Sequence, residues 1–474
     1  MGQKQRGSSD VDNEVKKRRR VGFSVIDDGV EAKDCITIYL VSSKEEFDAP
    51  ESFVIHPVDL NNYFNDDGKI YGYEGLKITI WVSSISFYSY ADIAFLSSSD
   101  RGKGITDLKS ALQTIFAETL VDSKDEFLQK FMVDNDFVRT NISEGEVLKH
   151  KAFKEKICVS NQHTDSSASN VEVVRLVGGN MATGQLYSHL IPLTLLLVDG
   201  SSPIDVTDSQ WEMYVVCQKT TDQQGEIQYR VIGFSAVYRF YHYPDDSRLR
   251  LSQILVLPPY QHKGYGRFLL EVLYDVAIAE NVFDFTVEEP LDHFQIVRTC
   301  VDTLRLLRFD PIQNVVTKAV SLLKQGKLSK KTHCPRLLPP LSAVEDVRKS
   351  LKINKQQFLQ CWEVLIYIGL NPVDKYTENF VSIISNHVKY DILGKDFGTS
   401  GKQLFDVPSD DQEISFVMFR SEANEASNTV QMDDNLANQE EQLQKLVQEK
   451  VNQIKLIAEK VTVLHLRNKG VAVD

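Results

Sequence analysis

Apolar residues recur along this chain with two different spacings, and the change of spacing divides it. From Asp34 to about Phe95 they alternate with polar ones, as in Ile36-Thr37-Ile38-Tyr39-Leu40 and Leu76-Lys77-Ile78-Thr79-Ile80-Trp81-Val82. That period, rich in β-branched residues, predicts half-buried strands, with Asn65-Asp66-Asp67-Gly68 as a turn between them. From Thr106 to Asp134 the spacing becomes helical, with Leu108, Leu112, Ile115 and Phe116 on one face. A polar, serine-rich stretch over 161–170 reads as a surface loop. Next come a strand over 171–177 and a mostly apolar helix over 184–198. Strands over 211–219 and 229–241 follow, joined through Asp222-Gln223-Gln224-Gly225, and then a strand over 249–257. Residues 267–280 form an amphipathic helix, and 282–287 alternate again up to Pro290. Beyond Phe294 helical spacing dominates, with boundaries at Pro335, Pro339-Pro340 and Pro372. The last segment sets Leu443, Val447, Ile454, Ile457, Val461 and Leu464 at a,d-like positions, with Lys450 breaking the series. Three heptads are short for an autonomous coiled coil, so a helix folding back or docking on a partner is expected.

Composition narrows the class. The 474 residues are 42% hydrophobic and 25% charged, ordinary for a chain with a real core, and the length suggests about three domains. No run approaches the roughly 18–20 apolar residues of a membrane-spanning helix. The opening residues lack the apolar block of a secretory signal, and Arg6 stands where a myristoylation motif has Ser or Thr. The six cysteines are scattered singly and no histidine pair has ligand spacing, which argues against a disulfide framework and a structural zinc. Net charge is −13 and unevenly placed: seven basic and three acidic side chains in residues 1–20 leave the remainder at −17. An acidic body binds nucleic acid poorly but attracts a basic partner from a distance. The run Lys16-Lys17-Arg18-Arg19-Arg20, in a polar leader, has the make-up of a nuclear-import signal.

Chemistry concentrates in one stretch. The apolar run Ile254-Leu255-Val256-Leu257 delivers the chain to Pro258-Pro259-Tyr260, then to Gln261-His262-Lys263-Gly264-Tyr265-Gly266-Arg267, which opens a helix. Alone, the general pattern it satisfies, Gln or Arg-x-x-Gly-x-Gly or Ala, is weak, since a chain this long carries about half an occurrence by chance. Its context between strand and helix gives it weight. Glycines let successive backbone N–H groups face a concavity, and the helix N-terminus points its amides there, making an anion cradle sized for a pyrophosphate. A triphosphate loop is absent, and Leu269 stands where a dinucleotide fingerprint needs its third glycine.

This loop resembles motif A of the GNAT acetyltransferases. The wider string is similar to the type B histone acetyltransferase catalytic subunits, most like a plant member. It includes Ile204-Asp205-Val206, Trp211, Val237-Tyr238, Tyr243-Pro244-Asp245 and Thr286-Val287-Glu288-Glu289-Pro290. The likeness reaches Gly72-Tyr73-Glu74-Gly75-Leu76-Lys77-Ile78 on one flank and Lys352-Ile353-Asn354-Lys355-Gln356 on the other. It implies an α+β protein: a GNAT fold, a mixed β-sheet flanked by helices, with an N-terminal α+β domain and a C-terminal helical domain. The expected divisions are a disordered basic leader over 1–30, the N-terminal domain over 31–155, and the acetyl-CoA-binding catalytic domain over 156–300. A helical domain over 301–420 and a linker with terminal amphipathic helix over 421–474 complete them.

The resemblance further implies transfer of acetyl from acetyl-CoA, without a metal, to lysines in the tail of newly made histone H4. The histone pair H3–H4 and a WD-repeat histone-binding subunit would be partners, in nucleus and cytoplasm, with no direct nucleic-acid or membrane contact. Ile254, Leu255 and Val256 would bond the pantetheine arm, and Gln261, His262, Lys263, Gly264, Tyr265, Gly266 and Arg267 would hold the pyrophosphate. Glu288 falls on the catalytic glutamate. Asp199 falls on a further acidic position, one methylene shorter than the family's glutamate, and Glu289 on another that is commonly aspartate. Asp66 and Asp67 match one histone-contact region; Tyr238, Arg239 and Phe240 match a second, with Phe240 replacing a tyrosine.

The residues support part of this independently. A lysine amine is protonated at neutral pH, with a reference pKa of about 10.4, and cannot attack a thioester until a base takes the proton. Alternation over 282–289 puts Asp284, Thr286 and Glu288 on one strand face and Phe283, Phe285 and Val287 on the other, so Glu288 and Glu289 diverge unless the strand end re-aims one. Glu288 ranks first as base and Glu289 second. Tyr238 and Phe240 share a strand face, available to a lysine stem. Two other functions fit the same residues: GNAT transfer to another protein or small amine, and a non-catalytic histone carrier.

Overall fold

The computed structural model describes residues 28–48, 53–58, 60, 63–65, 67–100, 103–133, 136–154, 168–221, 227–325, 337–371, 374–393 and 436–468. The basic run 16–20, the turn 222–225 and most of the serine-rich loop over 161–170 lie outside them. The chain forms two compact units, one comprising Met1–Asn135 with His189–Pro203, the other Asp136–Ser188 with Ile204–Asp474.

The first unit is built on a five-stranded sheet of β1 (Ile36–Val41), β2 (Phe53–Ile55), β3 (Lys77–Ser83), β4 (Ser89–Ala94) and β5 (Leu120–Val121), ordered β2-β1-β3-β4-β5. Alternation sorts its two faces. Ile36, Ile38, Leu40, Ile78, Ile80 and Val82 are buried on one, while on the other Trp81 stacks with Phe47 and Tyr90 at 4.4 and 5.8 Å. The helical spacing over 106–134 becomes two helices, α1 (Leu108–Phe116) and α2 (Lys124–Val133). Asp107 caps α1 through the Ser110 amide at 3.0 Å. Ala117, at φ 45°, ends it, and β5 intervenes as a parallel partner of β4. Pairing with a sheet edge overrode a helical periodicity that local sequence alone favours.

The second unit carries a six-stranded sheet in sequence order. Its strands are β6 (Glu146–Lys154), β7 (Ala168–Val177), β8 (Trp211–Thr221), β9 (Ile227–His242), β10 (Asp246–Val256) and β11 (Phe285–Val287). All pairs are antiparallel except β10 with β11, the pair joined through a helix. Between β7 and β8 runs α3 (Met181–Leu197), within which the division between units falls. Its Tyr187 packs edge-on to Phe234 at 6.3 Å and donates its hydroxyl to Gln253 Oε1 at 3.0 Å. Between β10 and β11 runs α4 (Tyr265–Ala279), whose Phe268, Leu269, Val272, Leu273 and Val276 share a core with Val173, Tyr214, Val216, Val237, Leu249 and Leu251. Spacing of 3.6 on the helix meeting spacing of 2 on the strands makes this layer.

The six helices that follow among the described residues all enter the same core, the first five being α5 (Asp292–Leu306), α6 (Asp310–Lys324), α7 (Leu341–Leu351), α8 (Lys355–Leu370) and α9 (Asp374–Leu393). The terminal α10 (Leu436–Asn468) folds back onto α5, α8 and α9, burying Leu443, Val447, Val451, Ile454, Ile457 and Val461. Lys450, which breaks its apolar series, meets buried Glu363 of α8 at 3.3 Å, and His387 of α9 meets the same oxygen at 2.8 Å.

The compact units divide the chain differently from the expected boundaries at 155 and 300. Residues 146–154, too polar to read as core, are edge strand β6 and belong with the six-stranded sheet. The helices after residue 300 share its core instead of standing apart. The strand expected over 282–287 is regular only at Phe285–Val287, although the Phe283 amide already donates to the Ser247 carbonyl at 2.7 Å and the Asp284 carbonyl accepts the Leu249 amide at 3.2 Å; the Asp284 side chain meets Arg248 at 2.6 Å.

Candidate active site

β10 is paired with β9 from Asp246 to Val256, but β11 reaches only Leu249–Leu251 on its other margin. The register with β9 slips between Leu251 and Gln253, making Ser252 the extra residue of a β-bulge, an irregularity that re-aims side chains and parts strands. Past it the sheet splits. The Leu257 amide donates to the Ile232 carbonyl at 2.9 Å. Counting back by twos, Leu255 is bonded to β9, while Ile254 and Val256 turn main-chain groups to the margin that β11 has left. There the Val256 carbonyl accepts from Gln261 Nε2 at 2.9 Å. An exposed strand margin of this kind is a template for an extended, amide-bearing ligand.

The loop after β10 forms the concavity. Pro258–Tyr260 make one 3₁₀ turn, His262 adopts φ 61° and Gly264 φ 91°, and α4 begins at Tyr265. The Phe268 amide bonds back to the Gly264 carbonyl at 3.0 Å, leaving the Gly266 and Arg267 amides with no partner inside the helix. A Cβ at Gly264 would meet no protein atom within 4 Å, and one at Gly266 only Val256 Cγ2 at 3.6 Å. Gly264 is therefore required by its backbone angle. No crowding by protein accounts for Gly266, and the space beside it is open to a ligand approaching the amides. Those orphan amides at the positive end of a 15-residue helix fit a diphosphate. Gln261, His262 and Lys263 are exposed on the loop, and Arg267 pairs with Glu271 at 2.8 Å. Tyr265 contributes backbone only, since its ring is buried against Phe153 at 4.5 Å.

Glu288 follows the last residue of β11. Its amide donates to the Leu251 carbonyl at 2.9 Å, and its exposed carboxylate accepts the Ser252 hydroxyl at 2.7 Å. It thus stands where the free margin of β10 begins. Glu289, exposed and at φ 35°, has already left the strand geometry. Register sets Trp211, Tyr238, Arg250 and Thr286 in one row across β8 to β11, and hence on one face. Phe240 lies one step to one side of that row and Glu288 one step to the other. Tyr238 packs edge-on to Trp211 and Phe240 at 4.9 and 4.6 Å. Its hydroxyl donates to Asp208 at 2.9 Å, and that bond raises the phenol above its ordinary value.

Arg239 sits on the opposite face from this aromatic row. Its guanidinium is held by Glu212 at 2.7 Å and Glu280 at 2.5 Å, which also hold Arg175 at 2.8 and 2.6 Å. This lattice ties β7, β8 and β9 to the end of α4. Asp67 and Asp199 belong to the first unit. Asp67 closes its own turn, accepting the Lys69 amide at 3.2 Å and the Tyr71 hydroxyl, and the latter bond holds its carboxyl below the ordinary range. Asp199 is exposed in the turn after α3, and Asp66 lies outside the described residues. The second unit therefore gathers Ile254–Val256, Gln261–Arg267, Glu288, Glu289, Tyr238 and Phe240. Ser252 and Asp208 were not read from sequence. The signal for Ser252 was the polar pair Ser252-Gln253 interrupting an apolar strand.

A sheet that parts beside a glycine-bearing helix N-terminus, with a carboxylate at the fork, places the chain among the GNAT acetyltransferases. Residues 200–293 match the Acetyltransferase (GNAT) family model, and 29–199 match the model described as Histone acetyl transferase HAT1 N-terminus. The chain belongs to the family of histone acetyltransferase type B catalytic subunits. It is 55% identical to the Arabidopsis thaliana member over 98% of each chain, and 45% identical to that of Zea mays over 94% of each. A Dictyostelium discoideum member is 26% identical, over 75% of this chain and 71% of its own. The GNAT family uses acetyl-CoA, and the open cradle and free strand margin fit that cosubstrate.

Proposed function

We propose that the chain transfers the acetyl group of acetyl-CoA to lysine side chains in the N-terminal tail of newly synthesised histone H4, by direct attack in a ternary complex. The observation that carries this reading is the Glu288 carboxylate at the fork of β10 and β11, oriented by the Ser252 hydroxyl. Gln261–Arg267 bind the diphosphate through backbone amides, and Ile254–Val256 bind the amide-bearing arm, which directs the thioester along β10 toward Glu288. Glu288 accepts a proton from the lysine ammonium. The freed amine attacks the acetyl carbonyl carbon; the N–C bond forms, the C–S bond breaks, the nitrogen gives up a second proton to become an amide, and the departing sulfur takes up one proton as a thiol. Glu289 ranks second as base, and no step is assigned to Asp199. Tyr238, Phe240 and Trp211 offer an aromatic surface for the lysine stem.

Direct attack suits the cysteines that the structure describes. Cys35, Cys217, Cys300 and Cys361 are buried, and burial pushes the Cys300 thiol up to about 11, away from a nucleophile's range. The net charge of −13 favours a Lys- and Arg-rich tail. A WD-repeat histone-binding subunit would present the H3–H4 pair, and the run 16–20 supports residence in nucleus as well as cytoplasm.

Mass spectrometry of H4 incubated with the purified chain and acetyl-CoA tests the substrate, with spermidine as competing acceptor. Acetylated tail lysines are expected, and exclusive acetylation of spermidine would redirect the reading to small amines. For the base, Glu288→Gln is expected to keep coenzyme A affinity while kcat falls by roughly 10²–10⁴. Unchanged turnover would remove Glu288 from the chemistry.

A further inference from the structure

β11 is three residues long and the last strand of its sheet. A strand so placed has one margin facing no strand. Here that margin meets Lys352-Ile353-Asn354, which joins α7 to α8. Phe285 and Ile353 form a parallel bridge, and the Phe285 amide donates to the Lys352 carbonyl at 2.8 Å. The Phe285 carbonyl accepts from Asn354 Nδ2 at 3.3 Å and Arg298 Nη2 at 3.4 Å. Arg348 Nη1 donates to the Phe283 carbonyl at 3.0 Å, and Lys352 Nζ to Asn281 Oδ1 at 2.7 Å. The segment leading into Glu288 is thus gripped on both margins, by β10 and by the C-terminal helices.

Two residues do more here than packing asks. Lys352 is 4% exposed and sits at φ 60°, a conformation glycine takes without steric cost. The buried lysine in that backbone spends its ammonium on Asn281. Asn354 caps α8 by accepting the Gln357 amide at 2.9 Å, a task its oxygen alone performs and Ser would perform as well. Only the amide nitrogen adds the donor directed at β11.

We infer that Lys352 and Asn354 are positioning residues for acetyl transfer. They extend the catalytic sheet by one bridge beyond β11 and so fix the strand that presents Glu288 to Ser252 and the open margin of β10. The inference rests on Glu288 acting as the base, and both residues lie beyond 293, where the matched family models end. Displacing a catalytic group by 1 Å costs up to about 10²-fold in rate, so a three-residue strand needs such a brace.

Asn354→Ser keeps the cap oxygen and removes the donor. Its melting temperature should stay near that of the unmodified protein and its coenzyme A affinity within about twofold. Its kcat should fall about tenfold, with the acid limb of the pH–rate profile displaced. Lys352→Gly relieves the backbone and removes the ammonium; it should melt no lower and still lose turnover. Unchanged kcat and pH profile in both variants, with Glu288→Gln slow, would overturn the positioning role alone. Normal turnover in Glu288→Gln would instead remove the general-base reading on which it stands.

Discussion

Ser252 donates its hydroxyl to the Glu288 carboxylate at 2.7 Å from the one position where β10 carries a residue that β9 does not match. The bulge therefore does two things at once. It frees the margin of β10 for a ligand and turns a hydrogen-bond donor toward the carboxylate at the fork.

Ser252→Ala tests that pairing. The hydroxyl fixes where the carboxylate points, so removing it should slow turnover while coenzyme A affinity stays within about twofold. The accompanying fall in kcat should be about tenfold, the equivalent of one hydrogen bond to a charged group. A kcat equal to that of the unmodified enzyme would mean the hydroxyl is irrelevant to proton transfer.

Gly266→Ala separates cradle from scaffold. Its new methyl meets only Val256 Cγ2, at an ordinary 3.6 Å, and Ala favours helix over Gly by about 1 kcal/mol, so thermal stability should hold or rise slightly. The same methyl enters the space beside the helix-terminal amides. Because the loop pattern admits Ala here, coenzyme A binding should stay within about a few-fold by calorimetry, whereas the larger side chain of Gly266→Leu should weaken it at least about tenfold; retained affinity in Gly266→Leu would place the diphosphate elsewhere.

Glu280 gives the fold a pH dependence. Burial pushes its carboxyl up, but Arg175 and Arg239 outweigh burial and hold it below the ordinary range. A carboxyl depressed in the folded state stabilises above its unfolded value of about 4.3, and that stability is lost as pH falls through the folded value. Urea midpoints of Glu280→Gln should accordingly be lower than those of the unmodified protein at pH 7. The gap should narrow as pH falls through 4.5 toward 3. A gap independent of pH would assign the loss to packing.

The elements with one dominant period were legible in the sequence. The alternation at 36–40 and 76–82, the amphipathic face of α4, and the glycine loop between strand and helix each follow from local spacing, because exposure on one side and burial on the other leaves a periodic record. Loop chemistry was legible for the same reason: φ near 91° at Gly264 restricts residue type at the position itself.

What stayed hidden was pairing between distant segments. β6 is polar enough to pass for loop, and only its register with β7 makes it a strand. The break after α1 is decided by β4, which recruits β5 through a parallel pairing. Arg239 and Tyr238 are neighbours in sequence, but one serves an ion lattice and the other the aromatic row, since adjacent strand residues face opposite ways.

By itself, the sequence determined the local conformations and the kind of chemistry, because backbone angles, periodicity and residue type are properties of short stretches. Only the tertiary structure decided which carboxylate stands at the fork with a donor beside it, and that a turn at 352–354 braces its strand. Those are contacts between residues 36 and 69 positions apart, and hydrogen bonds across such separations leave no periodic trace in the chain.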